Sequence, residues 1–260
     1  MPEGLESTQQ SHTHEVNFPR PQNLLSADLI RQYSPKSDWF ASTEHSKSGP
    51  HGPSHLLRVF VLQETLSRLL LESGKIKPGQ IDQDALRWAA VLHDVGRVSN
   101  LRSLNNTEVA AVTADRVLPL DIEQATKDKV KALILAHDKP YDSTLPYATE
   151  LAILKDADSL DRVRFHKIPK SLPRVVRSKL GELDEGYLTM GESHDLVPFA
   201  ESLYALSRED RIKGESDPAE AIIHAGQQVG IVARPDENLT DSALPSLPTL
   251  AIRPFSNEKL

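Results

Sequence analysis

The sequence predicts an all-α protein, and three observations carry that expectation. Apolar residues recur at helical spacing in stretch after stretch. Glycine and proline cluster between those stretches, where they end or start helices. The stretch through Ala85, Leu86, Ala89, Ala90 and Leu92 is apolar nearly all round, as a central buried helix would be.

The elements follow in chain order. Residues 1 to about 37 are polar and contain Pro2, Pro19, Pro21 and Pro35, so they read as a mostly mobile leader with one short helix near Ser26 to Tyr33. The Gly49-Pro50-His51-Gly52-Pro53 stretch forbids regular structure, and Pro53 suits the first turn of a helix. That helix carries His55, Val59, Leu62, Leu66, Leu69 and Leu70 on one face and stops near Ser73-Gly74. Asp82 or Asp84 caps a second helix that runs through Ala85, Leu86, Ala89 and Leu92 to His93, with Gly96 as terminator. A helix over Thr107 to Leu118 ends at Pro119, and the next runs from about Asp121 to His137. A strong helix follows over Tyr147 to His166. Weaker helices span Leu196 to Arg208 and Pro218 to Val229. The expected organisation is a leader at 1–37, a helical domain at 38–232 and a proline-containing extended tail at 233–260. Within the helical domain a core of about 50–166 precedes a C-terminal helical extension of about 167–232.

Composition removes several function classes. The 260 residues carry 30 basic and 37 acidic side chains, a formal net charge of −7, which argues against general nucleic-acid or membrane-surface binding. There is no cysteine, which excludes disulfides, thiolate metal sites and thiol nucleophiles. The first residues lack the basic and apolar segments of a signal peptide, and no apolar run is long enough to span a bilayer. The expectation is a cytoplasmic protein that takes a small molecule; a homo-oligomer is compatible with it.

Polar residues on apolar helix faces are the informative exceptions. His55 lies on the apolar face of the first helix turn, His93-Asp94 ends a buried helix, His137 points inward at a helix end, and Asp158 and Asp161 share a stripe with Leu151, Leu154 and Phe165. A buried unpaired charge is costly, so these groups need compensation; a metal ion is one natural source of it and Arg97 is another. Imidazole nitrogens and carboxylate oxygens suit Mn²⁺, Fe²⁺, Co²⁺, Ni²⁺ or Zn²⁺, with Mg²⁺ a further candidate.

Three motifs then occur in order. His51-Gly52-Pro53-Ser54-His55-Leu56-Leu57-Arg58-Val59, Leu92-His93-Asp94-Val95-Gly96-Arg97 and Lys155-Asp156-Ala157-Asp158-Ser159-Leu160-Asp161 resemble the three motifs of the HD-domain superfamily. The resemblance implies an HD-like helical bundle whose metal ligands are His55, His93, Asp94 and Asp158. It implies a metal-dependent phosphohydrolase for a small phosphorylated substrate, most often a nucleotide, working by attack of water activated on the metal. Phosphoryl transfer needs positioning and charge neutralisation, so Arg97 and Lys155 are expected as catalytic phosphate contacts and Asp161 as a ligand-holding or proton-relaying catalytic group. Arg58, His51 and His137 are expected as substrate-binding residues. Lys167, Lys170, Arg174, Arg177 and Lys179 are candidates for a basic rim.

Departures from the motifs narrow the reading. Dinuclear relatives supply two histidines between the second and third motifs; this chain supplies only His137, which favours one metal over two. Gly96-Arg97-Val98 stands where the alarmone hydrolases of this family carry acidic residues, and the glutamate that deoxynucleotide monophosphatases place after the His-Asp pair is absent. His194-Asp195 lies in a polar stretch and reads as surface. Two other classes stay open: a dinuclear iron oxygenase of the same fold, using His137 and His51, and a catalytically silent module that binds a nucleotide.

Overall fold

A computed structural model of the 260-residue chain describes residues 17–42, 49–97, 106–165, 171, 173, 181–213 and 217–235. Nine α-helices occur among these residues, with no strand beyond a single bridge. They are α1 (Ala27–Gln32), α2 (Pro53–Glu72), α3 (Gln83–Leu92), α4 (Asn106–Val117), α5 (Gln124–Ala136), α6 (Ala148–Leu160), α7 (Gly191–Asp195), α8 (Val197–Lys213) and α9 (Pro218–Val229). The fold is all-α, as the helical periodicity predicts.

Helix α2 is the hub. It packs against α3, α6, α9 and α8, and Leu56, Leu57, Val59, Phe60, Val61, Leu62 and Leu66 are fully buried, so it is covered on every side. Helix α3 lies between α2 and α5, and α4 covers α5. Helices α8 and α9 pack together over the other side of α2. Start signals behave as the sequence suggests: Pro53 occupies the first turn of α2, and the Asp82 carboxylate accepts from Ala85 N at 3.0 Å. Helix α9 ends at Gly230, whose φ of 77° is the left-handed conformation that favours glycine.

Two differences from the sequence expectations have clear causes. Residues 17–37, placed in the leader by their polarity, bury Phe18, Leu25, Ile30 and Tyr33 in the main core. Leu25 forms a parallel bridge with Val232, Phe18 stacks on Phe199 with centroids 4.6 Å apart, and Tyr33 meets Trp88 at 4.9 Å. Apolar anchors this widely spaced leave no periodicity to read. The helix expected over Tyr147 to His166 is α-helical only to Leu160; Asp161–Phe165 continue it as a tighter 3₁₀ turn that sets the direction of Asp161 and Arg164. The tail beyond 235, the leader before 17 and the basic rim at Lys167, Lys170, Arg174, Arg177 and Lys179 lie outside the described residues.

Candidate metal centre

Four helix ends converge on one point. Pro53 starts α2 so that His55 falls in its first turn, with His55 N donating to Gly52 O at 3.0 Å. Helix α3 stops at Leu92; His93 caps it and Asp94 follows in the turn. Gly96 is required there, because a Cβ would run into the Asn106 carbonyl oxygen and the Ala110 nitrogen at the start of α4. His137 caps α5, and Asp158 sits in the last turn of α6.

The side chains meet closely. His55 Nε2 lies 3.5 Å from both Asp94 Oδ2 and Asp158 Oδ1. His93 Nε2 lies 3.7 Å from Asp94 Oδ2 and 3.6 Å from Asp158 Oδ1. His137 Nε2 is 3.8 Å from the other Asp94 oxygen, Oδ1. His51 Nδ1 is 2.6 Å from Asp94 Oδ2. Three overlapping groups result, His51–His55–Asp94, His55–His93–Asp158 and His93–Asp94–His137, each with its ligand atoms within 4.8 Å of one another. Any of them could hold a metal ion.

Hydrogen bonds behind the rings fix which nitrogen faces the cluster. A backbone carbonyl only accepts, so His93 Nδ1, 2.9 Å from Ala90 O, carries the proton, as does His137 Nδ1, 2.7 Å from Ile134 O. His55 Nδ1 likewise donates to Asp161 Oδ2 at 2.8 Å. Each ring therefore turns an Nε2 lone pair inward, the arrangement that metal-binding histidines need. The Nε2 atoms of His55 and His93 are buried and have no hydrogen-bond partner.

The electrostatics call for a cation. Burial pushes the Asp94 carboxyl up, but His93, with the neighbouring imidazoles of His137, His51 and His55, outweighs it and holds the group well below its usual range. Burial opposes Asp158 in the same way, and His93 holds it low. Burial pushes His93 down, yet Asp94 and Asp158 draw it above its ordinary value. His51 differs: burial takes it down to about 4, so its ring is neutral near neutral pH despite Asp94. With 32% of its surface accessible, the Asp158 side chain is where the cluster opens to solvent.

The remaining residues singled out from sequence divide into those at the cluster and those behind it. Arg97 donates from Nε to Asp94 Oδ1 at 2.6 Å, so it steadies the shared carboxylate from the rim. Asp161 is fully buried behind His55 and meets the cluster through His55 Nδ1; Arg58 donates to both its oxygens and Arg164 donates to Oδ2 at 3.0 Å. Lys155 points away, giving its ammonium to the carbonyls of His137 and Lys139 at 2.6 Å each, and so caps α5. His194 and Asp195 are exposed, as their polar setting suggests. Sequence reasoning passed over Asp156. Its buried carboxylate accepts from Thr189 N, Met190 N and Ser193 Oγ and ties α6 to the segment before α7. Nothing in its own motif marks it, because its partners lie more than thirty residues downstream.

Residues 54–163 match the family model of the HD domain. The chain carries an HD domain. No curated protein and no solved structure gives a significant match. The HD domain contains His55, His93, Asp94, His137 and Asp158, and this cluster is compatible with the metal-dependent phosphohydrolases of the superfamily. His51 lies just before the matched segment. No helix among the described residues is long and apolar enough to cross a membrane.

Proposed function

We propose that the protein is a metal-dependent phosphohydrolase acting on a small phosphorylated substrate, with nucleotides the class that HD domains imply. The observation that carries this reading is the pair of buried, unpartnered Nε2 atoms on His55 and His93, facing Asp94 and Asp158 at 3.5–3.7 Å. An unsatisfied buried polar atom costs about 1–3 kcal/mol, and a divalent cation shared by these four side chains removes that cost.

His55, His93, Asp94 and Asp158 would hold the metal, which when bound acidifies its water and polarises a phosphoryl oxygen. Asp161 acts through His55: by accepting from Nδ1 it keeps the ring's Nε2 deprotonated and aimed inward. Arg97 holds Asp94 in register and places positive charge at the rim. His51, neutral and 15% exposed, presents an uncharged imidazole where the substrate enters.

A second reading rests on a separate observation. Asp94 directs Oδ2 towards His51, His55 and His93 and Oδ1 towards His137 and Arg97, so His51 and His137 are near enough that they would hold a second metal beside the first. That arrangement suits a dinuclear centre, including an iron oxygenase, and draws on His51 and His137 as ligands.

Metal quantification of the purified chain, joined to phosphate-release assays on a nucleotide panel with Mn²⁺, Co²⁺, Ni²⁺ and Mg²⁺, separates the readings. One metal per chain and metal-dependent phosphate release is the expected result. Two irons per chain with oxygen consumption supports the dinuclear reading. Nucleotide binding without hydrolysis under any metal overturns the hydrolase reading in favour of a silent nucleotide-binding module.

A further inference from the structure

A cavity of about 460 Å³ opens beside the metal cluster, lined by Arg58, Arg164, Arg208 and Arg211 together with Phe165 and Tyr204. No carboxylate lines it among the described residues. Its volume falls in the roughly 300–1,000 Å³ range of small-molecule sites.

The wall is built, not an accidental concentration of surface charge. The side chains of Arg58 and Arg164 are each 7% exposed, and they share a single anion, Asp161. Arg164 Nε is buried with no hydrogen-bond acceptor. Burial pushes the Arg164 guanidinium below its ordinary value against the pull of Asp161, and Arg58 pushes the same way. The guanidinium of Arg58 lies over the Tyr204 ring at 5.1 Å and that of Arg164 over the Phe165 ring at 4.5 Å. These stacks hold the planar forks in place, and they occupy ring faces that would otherwise stack a base. What remains on offer is N–H groups and positive charge, the recognition elements for phosphate.

The cavity and the cluster share their chain. Pro50 lines the cavity and His51 touches Asp94; Ser54 lines the cavity and His55 belongs to the cluster. Arg211 on α8 donates to Ser54 Oγ at 2.5 Å, and Asp161 joins Arg58 and Arg164 to His55. Arg164, Arg208 and Arg211 all lie beyond the segment matched to the HD domain, so this chain's own extension supplies most of the charge.

We propose that this arginine cavity binds the polyphosphate part of the substrate, so that the substrate carries a di- or triphosphate. The assignment rests on the phosphohydrolase reading for the adjacent cluster. The remote phosphates occupy the cavity while the reacting phosphoryl group sits at the cluster.

Inorganic triphosphate is the probe. Titrated calorimetrically into the full chain with a chelator present, it should bind at least about tenfold more tightly than orthophosphate, because each charged fork adds a charge-assisted bond. Arg208→Gln with Arg211→Gln should weaken triphosphate about tenfold or more. Arg208→Gln alone should weaken it severalfold; this residue is exposed and has no partner among the described residues, so its loss leaves the fold intact. Triphosphate that binds no better than orthophosphate, or equally well to the arginine variants, overturns the cavity assignment even if hydrolysis is observed. Tight triphosphate binding lost in the variants, with no metal-dependent hydrolysis of any phosphate ester, upholds the cavity and overturns the hydrolase reading instead.

Discussion

Helix α2 carries two buried polar networks, one around Glu64 and one around His55, and they differ in whether the polar atoms of the central side chain are used up. Glu64 Oε1 accepts from Gln63 at 3.0 Å, Gln83 at 2.5 Å and Arg87 Nε at 2.8 Å, and Oε2 takes Arg87 Nη2 at 3.2 Å with Arg68 Nη2 3.6 Å away. Its lone pairs are spent inside the protein. At the other end of the same helix, His55 is satisfied at Nδ1 and unsatisfied at Nε2, and His93 across from it is in the same state. Glu64, Arg87, His55 and His93 are all buried. Burial of charge therefore does not mark a functional site; the direction in which satisfaction is incomplete does.

The comparison is broken most decisively at Asp94. Asp94→Ala should remove bound metal and lower phosphate release by about a thousandfold or more, while circular dichroism keeps its helical signature. Full turnover in that variant would show that the cluster is not the catalytic centre. Glu64→Ala should do the reverse. It strands the Arg87 guanidinium in the core and should cost about 3–5 kcal/mol in urea unfolding, with metal content per folded chain unchanged. If metal is lost from a variant that stays folded, the two networks are not separable. Lys155→Met tests the boundary between them, since this ammonium caps α5 beneath His137 instead of facing the cluster. A loss of about 1 kcal/mol in stability is expected with kcat/KM nearly constant; a large fall in kcat/KM would return Lys155 to the phosphate.

The smallest effect is in the pH dependence. Burial pushes the Glu64 carboxyl up, but Arg87 outweighs it and leaves the group below its ordinary value of about 4.5. A folded-state pKa below the unfolded one gives stability that is complete above about pH 4.5 and is lost as the pH falls through the folded value. Glu64→Gln should therefore unfold with a flatter acid limb than the wild type below that pH. Identical limbs would mean that Glu64 adds nothing to acid sensitivity.

What the sequence disclosed follows the same division. His55, His93, Asp94 and Asp158 were legible because each interrupts an apolar helical face, and because the motifs they form occur in order. The direction of His51 was not, since the Gly52-Pro53 break after it allows the ring to point either way; in the structure it points to Asp94 at 2.6 Å. Arg58 shows its character only in three dimensions, because Asp161, which takes both its forks, lies 103 residues on. Lys155 sits inside a motif, yet the carbonyls it serves belong to another helix. The arginine cavity was hidden for the same reason: Arg208 and Arg211 stand one turn apart on α8, and only the packing of α8 against the Asp161–Phe165 turn brings them to Arg164.

The bridge between Leu25 and Val232 has a consequence for how the chain is made. Leu25 N donates to Ile231 O and Ala233 N donates back to Leu25 O, each at 2.9 Å, so the early segment has no permanent seat until the end of α9 exists. During synthesis the helices of the candidate metal centre emerge and can pack well before that partner leaves the ribosome. Phe18 and Leu25 must wait through that interval without Phe199 and Val232, so the interval is where the nascent chain is most exposed to aggregation and to chaperones.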